Sequence, residues 1–277
     1  MTQPAKQPTL AFIGAGNMAR AIIGGLLKTG FPADRIWASE PTLDRMDDLK
    51  AQGLNTTDDN AVAVKNADLI VLAVKPQLLK EVLLPLQSAA STEDKLFVSV
   101  AAGITCDSIN QWLGGQQAIV RCMPNTPALV GMGASGLYAN AQVSEEQKTQ
   151  ADSVLSAVGI TAWVDEESLL HAITAVSGSG PAYYFLFMES MINAGIKQGL
   201  SREVATQLTL QTARGAAEIA CTNDSTPAEL CRQVASPKGT TEQAILSFQS
   251  QQLDQVVENA MVACADRSHE LAKLLGE

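Results

Sequence analysis

In the first half of the chain, short apolar runs rich in β-branched residues alternate with longer stretches in which apolar residues recur every three or four positions. The runs at residues 9–14, 35–39, 69–74, 96–101 and 118–123 read as strands, and the stretches at 18–29, 42–51, 78–88 and 106–112 read as helices. Leu69-Ile70-Val71-Leu72-Ala73-Val74 is apolar throughout instead of alternating, the pattern of a central parallel strand covered on both faces. Two further short strands, 136–140 and 160–164, are expected to extend the sheet, with a helix at 145–158 between them. This order predicts a doubly wound α/β sheet. After residue 165 the strand-like runs stop and helical periodicity takes over, at 181–199, 202–221, 227–234, 241–248 and 253–275. Gly199 closes one of these helices, and Thr226-Pro227 opens another with an N-cap and a first-turn proline. The chain therefore reads as two domains, 1–164 and an all-α 165–277.

At 277 residues and 46% hydrophobic content, both domains can bury a core. Nineteen basic residues against 29 acidic ones give a net charge of −10, which argues against nucleic acid or an anionic membrane surface as a partner. An anionic small-molecule substrate then needs a local device, such as the free N–H groups of a helix start. The odd count of five cysteines includes no C-x-x-C pair, so they read as reduced thiols; Cys122, at the end of a strand, reads as packing. There is neither a signal-peptide pattern nor a stretch of roughly 20 apolar residues to cross a membrane, and the expected compartment is the cytoplasm.

The first strand meets the first helix at Gly14-Ala15-Gly16-Asn17-Met18-Ala19, a G-x-G-x-x-A in the context that gives it meaning. Gly14 permits the tight turn, Gly16 lets backbone approach a pyrophosphate, and Ala19 keeps the helix near the sheet while its first N–H groups face the negative charge. This is a Rossmann-type dinucleotide site, with Asn17 and Met18 at the helix start. The second strand ends in Ser39-Glu40, where the adenosine ribose belongs; Glu40 would accept from both ribose hydroxyls and repel a 2′-phosphate, and the next arginine is Arg45. That pattern favours NADH, with dual use of NADPH compatible with it; Glu40 also fits a solvated loop charge. Val74-Lys75-Pro76, Ala101-Ala102-Gly103 and Asn125 lie at the C-terminal ends of later strands and are expected to frame the nicotinamide. Lys75 fits a catalytic base, a phosphate ligand or an exposed loop residue alike.

In the helical half, Val176-Ser177-Gly178-Ser179-Gly180-Pro181 reads as a flexible turn opening a long helix, and Ser236-Pro237-Lys238-Gly239-Thr240-Thr241 as a second Ser/Gly/Thr helix entry. Both offer amides and hydroxyls to a carboxylate, although such residues also serve ordinary capping. His171 and His269 are the only histidines, and a lone His on a helix is more often structural. No His/Cys/Asp cluster has metal-ligand spacing, so no metal is expected.

In order, Gly14-x-Gly16-Asn17-Met18, Val74-Lys75-Pro76, Met123-Pro124-Asn125-Thr126-Pro127, Ser177-Gly178-Ser179-Gly180-Pro181-Ala182-Tyr183 and Ser236-Pro237-x-Gly239-Thr240-Thr241 resemble the pyrroline-5-carboxylate reductase family over nearly the whole chain. The resemblance implies reduction of a cyclic imine to L-proline by hydride from NAD(P)H, and a homodimer through the C-terminal helices, with five dimers forming a decamer. It implies Thr174 near the imine nitrogen, as a hydrogen-bond donor or proton relay. Ser177, Gly178, Gly239, Thr240 and Thr241 are the candidates for the substrate carboxylate. Lys238 departs from the family's usual glycine. The alternatives are another dehydrogenase of the same architecture, which would depend on a Lys or His acid–base group in the helical domain, and a dinucleotide sensor without turnover.

Overall fold

The computed structural model describes residues 7–91 and 94–276. Eight strands form one sheet in the order β3-β2-β1-β4-β5-β6-β7-β8. They are β1 (Leu10–Ile13), β2 (Ile36–Ser39), β3 (Asn55–Thr57), β4 (Leu69–Leu72), β5 (Leu96–Ser99), β6 (Ala118–Met123), β7 (Gly133–Ala139) and β8 (Gly159–Trp163). All neighbours are parallel except β6 and β7, which run antiparallel with Cys122 opposite Leu137. The expected doubly wound sheet is present, and the order of its first six strands is that of a dinucleotide-binding fold.

The helices are α1 (Asn17–Lys28), α2 (Asp47–Ala51), α3 (Asn60–Lys65), α4 (Pro76–Leu83), α5 (Gln87–Ala90), α6 (Cys106–Trp112), α7 (Glu145–Ser156), α8 (Leu169–Ile173), α9 (Gly180–Lys197), α10 (Arg202–Thr222), α11 (Pro227–Val234), α12 (Thr240–Ser250) and α13 (Leu253–Leu275). The period of two along β1 sends Leu10 and Phe12 to one core with Ile22, Ile23 and Leu26 of α1, and Ala11 and Ile13 to another with Val64 of α3 and Leu79 and Leu83 of α4. Each face of the sheet is thus sealed by helices, which is why β1, β4 and β5 are buried along their whole length.

Several elements depart from the expected pattern. The three-residue β3 is polar and half-buried, so it carries no apolar run to betray it. The helix expected at 78–88 breaks into α4, a 3-10 turn at Leu84–Leu86 and α5. Pro85 has no N–H to donate to the ladder. The helix expected at 42–51 is a 3-10 turn, Leu43–Met46, followed by the short α2.

The strands end at Trp163, but the compact units divide later: one holds the described residues within Met1–Ser179 and Cys264–Glu277, the other Gly180–Ala263. The first unit keeps α8 because Ile173 lies directly over Gly136 of β7, at 2.4 Å from where a Cβ would stand. It also keeps the end of α13, whose Leu271 and Ala272 cover Gly103. The change of pattern at residue 165 and the division into units are therefore different boundaries.

Candidate active site

The glycine turn has the geometry its sequence requires. Gly14 adopts φ +92°, and a Cβ on it would stand 2.8 Å from the carbonyl oxygen of Ala73, so only glycine fits between the ends of β1 and β4. Its N–H donates to the carbonyl of Ser39 at 2.9 Å, tying the turn to β2 as well. Gly16 is the N-cap of α1, with no side chain capping the helix and open space around its α-carbon. Gly16 and Asn17 are exposed, Met18 is half-buried, and Ala19 is fully buried against the sheet. The start of α1 therefore presents backbone N–H groups and helix-dipole charge to an approaching anion.

At the ribose end, Ser39 is buried and donates its hydroxyl to Asn60 Oδ1 at 2.6 Å. Its hydroxyl proton ties β2 to α3. Glu40 does reach the turn: its carboxylate accepts from the N–H of Ala15 at 3.4 Å and lies 3.6 Å from Nη1 of Arg45. Sequence reasoning noted Arg45 only as the next arginine, yet the turn Leu43–Met46 brings it to the acidic residue. Arg20, which no periodicity singled out, donates to the carbonyl of Ala15 at 2.9 Å, to Asp48 at 2.5 Å and to the carbonyl of Arg45. Its guanidinium holds the Asp48 carboxyl below the usual carboxylate range.

In the first of the loops expected around the nicotinamide, Lys75 is exposed as the N-cap of α4 and Pro76 occupies its first turn. Ala101 is buried with its N–H bonded to Ser99 Oγ, Ala102 is exposed, and Gly103 is covered by Leu271 and Ala272 at 3.6–3.7 Å. Only Ala102 of this trio faces outward. Asn125 is buried, donating to the carbonyl of Ser177 at 3.0 Å and accepting from the N–H of Ala134 at 2.9 Å. Its side-chain amide joins two protein segments.

The segment expected to be a flexible turn is a π-helical turn, Thr174–Gly178, in which the N–H of Ser179 donates to the carbonyl of Thr174 at 2.8 Å. Such wide turns recur at functional sites. The amides predicted to be free here are instead drawn into the helix. Thr174 donates its hydroxyl to the carbonyl of Leu170 at 2.7 Å and Ser177 to that of Ile173 at 3.1 Å. Each oxygen keeps its lone pairs, so both can accept but their protons are engaged. Gly178 is held by Met123, whose Cε would be 2.5 Å from an added Cβ.

In the second unit, Gly239 is the N-cap of α12 and no side chain caps the helix there. Lys238 takes a left-handed φ of +59°, and its N–H donates to Glu242 Oε2 at 2.7 Å. A left-handed backbone is what glycine adopts freely, which fits the glycine that the resemblance implies for this position.

His171 is buried, hydrogen-bonded through Nδ1 to Ser268 Oγ at 2.8 Å and stacked on His269 at 3.6 Å. Burial first, then His269 and Arg121, hold its imidazole below the usual histidine range, while Glu167 opposes them. It is a structural residue. Burial pushes the Cys122 thiol up to about 12, consistent with packing instead of chemistry. Among the described residues no cluster of metal-ligating side chains occurs, and no helix is long and apolar enough to cross a membrane.

A family model described as pyrroline-5-carboxylate reductase dimerisation matches residues 167–271, and one described as NADP oxidoreductase, coenzyme F420-dependent, matches residues 9–103. A pyrroline-5-carboxylate reductase of Pseudomonas aeruginosa is 54% identical over 98% of this chain and 99% of its own. A solved pyrroline-5-carboxylate reductase from Coxiella burnetii superposes with a TM-score of 0.94 at 43% identity, covering 96% of this chain and 99% of that one. The Plasmodium falciparum pyrroline carboxylate reductase with NADP bound superposes at 0.84 and 31% identity, over 97% and 100%. On glycine turn, sheet order, helical half and these full-length matches together, the chain belongs to the pyrroline-5-carboxylate reductase family.

Proposed function

We propose that this chain reduces 1-pyrroline-5-carboxylate to L-proline with NAD(P)H, the last step of proline biosynthesis. Family membership along the whole chain is the observation that carries the reading. The chemistry agrees with it. A protonated cyclic imine is already an electrophile, so no strong acid–base residue is demanded, and Thr174-Ala175-Val176-Ser177-Gly178 contains no ionisable side chain. The bound nicotinamide supplies the hydride to the imine carbon. The protein's part is to hold the partners and the proton.

Residue roles follow from the available atoms. Gly14, Gly16, Asn17 and Met18 receive the pyrophosphate at the start of α1. Val74, Lys75, Pro76 and Ala102 border the nicotinamide. Thr174 Oγ1, its proton committed to Leu170, accepts from the protonated imine N–H and so holds the proton on nitrogen while hydride arrives. Ser177 and Gly178 in the first unit, and Gly239, Thr240 and Thr241 at the start of α12 in the second, are the candidates for the carboxylate. Glu40 favours NADH by accepting from the ribose diol, and Arg45 beside it keeps NADPH usable. The functional division follows the change of pattern, 1–164 for the dinucleotide and 165–277 for substrate and dimerisation. Apolar side chains exposed along α9 to α13 support a homodimer through the C-terminal helices, and five such dimers would complete a decamer. All five cysteines carry free thiols, as the cytoplasm keeps them.

The test is loss of nicotinamide absorbance when purified protein meets pyrroline-5-carboxylate with NADH or with NADPH, with proline identified as product. Turnover with both, faster with NADH, is expected. Tight nucleotide binding without turnover by either would overturn the assignment in favour of a dinucleotide sensor.

A further inference from the structure

The ribose-reading corner rests on residues that differ greatly in how firmly they are held. Glu40 follows directly from the buried β2, its N–H donates to the carbonyl of Thr57 at 3.2 Å, and its carboxylate meets Ala15. Arg45 is held less firmly: its N–H closes the turn on the carbonyl of Thr42 at 3.1 Å and its guanidinium lies 3.6 Å from Glu40. Pro41, Thr42, Leu43, Asp44 and Arg45 are all exposed, and Met46 beyond them is the buried residue of the turn. What ties the Arg45 backbone to the glycine turn is Arg20. From the first turns of α1 its Nε donates to the carbonyl of Ala15 inside the glycine turn, its Nη2 to the carbonyl of Arg45, and its Nη1 pairs with Asp48 at the start of α2. One planar guanidinium thus spans the pyrophosphate loop, the carbonyl of Arg45 and the start of α2, a geometry a flexible ammonium cannot reproduce.

We propose that Arg20 is a positioning residue for cofactor choice: by fixing the Arg45 backbone relative to the glycine turn, it places the Arg45 guanidinium to receive the 2′-phosphate of NADPH. The proposal deepens the reading above and rests on it for the site of the ribose. Because Glu40 is held without Arg20, the effect is asymmetric. Loss of Arg20 weakens recognition of the 2′-phosphate and leaves the diol contact in place.

The experiment measures kcat and KM for NADH and for NADPH in Arg20→Ala and Arg20→Lys, alone and in an Arg45→Ala background. Binding of 5′-AMP and of 2′,5′-ADP is followed by calorimetry without any imine substrate. Arg20→Ala is expected to raise KM for NADPH about tenfold, and at least five times more than KM for NADH, as loss of one charge-assisted contact does. Its affinity for 2′,5′-ADP should fall by about the same factor. Arg20→Lys should recover only part of the loss, and with Arg45 already replaced the Arg20 substitution should no longer shift the ratio. Equal losses for both cofactors, no loss at all, or a ratio shift that persists without Arg45 would each overturn the proposal. If the wild type bound both adenosine nucleotides but turned over no pyrroline-5-carboxylate, the reaction would be wrong and the role of Arg20 would still be decided by the nucleotide pair.

Discussion

At the scale of single residues, what a side chain can do depends on where its polar atoms are already spent. Ser39 and Asn125 sit in the right loops by sequence, and both are consumed by protein partners. Gly14 was legible because backbone geometry alone demands it and Gly16 because the G-x-G spacing marks the pyrophosphate turn, whereas the direction in which a serine or asparagine points is decided by packing that the sequence does not display. Lys238 belongs with the glycines: at φ +59° its Cβ crowds the following carbonyl, and the Glu242 bond to its N–H offsets part of that strain. Lys238→Gly should be as stable as wild type or up to about 1 kcal/mol more stable, the relief of strain being set against glycine's larger loss of entropy. Lys238→Val, β-branched, should lose about 1–2 kcal/mol. Urea unfolding of the three proteins checks the order, and a valine variant as stable as the glycine one would mean that the left-handed turn is not populated.

At the scale of elements, legibility followed the length and apolarity of the segment. The extents of α6, α11 and α13 and of β6 were readable from periodicity, while β3 was too short and polar to register and the six-residue α3 too short to show a period. The π-helical turn was unreadable for a different reason: a bond from Ser179 to Thr174 is a choice among hydrogen-bond registers, and composition does not record it. The docking of α13 on α8 was equally hidden, since it joins His171 to Ser268 and His269 across a long loop of sequence. That contact predicts a pH dependence. The unfolded histidine takes up its proton near its ordinary value of 6.5, whereas His171 in the folded chain resists protonation, being buried, stacked on His269 and near Arg121, with the Glu167 carboxylate only partly opposing them. Between the two values the unfolded state binds more protons, so stability from this group is complete above the ordinary value and falls as pH drops toward the folded one. The melting temperature should therefore decline on acidification from neutral pH, and less so in His171→Gln than in wild type. Parallel declines in the two proteins would remove His171 as a source of the acid sensitivity.

At the scale of the whole molecule, the two units differ in how completely each buries its own apolar surface. The first has a helix-covered sheet with two cores, but in the second α11, α12 and residues 253–263 of α13 bury no residue within this chain, and α9 buries only Gly180 and Ile192. Phe185 and Leu186 are 63% and 71% exposed, and Leu246, Phe248, Val256 and Val257 are also open to solvent. A set of this size is a surface awaiting a partner. If a second copy covers it, folding and association are one equilibrium, and the melting temperature of the wild type must rise with protein concentration. Phe185→Asp combined with Leu186→Asp would place two carboxylates in that seam, a penalty of several kcal/mol because each buried charge would lack a partner. The variant should elute as a monomer by light scattering, melt at a lower temperature that no longer depends on concentration, and lose turnover while still binding nucleotide through the first unit. A variant that stays dimeric with a wild-type melting curve would show that α9 faces solvent in the assembly, and the search for the partner surface would pass to α12 and α13.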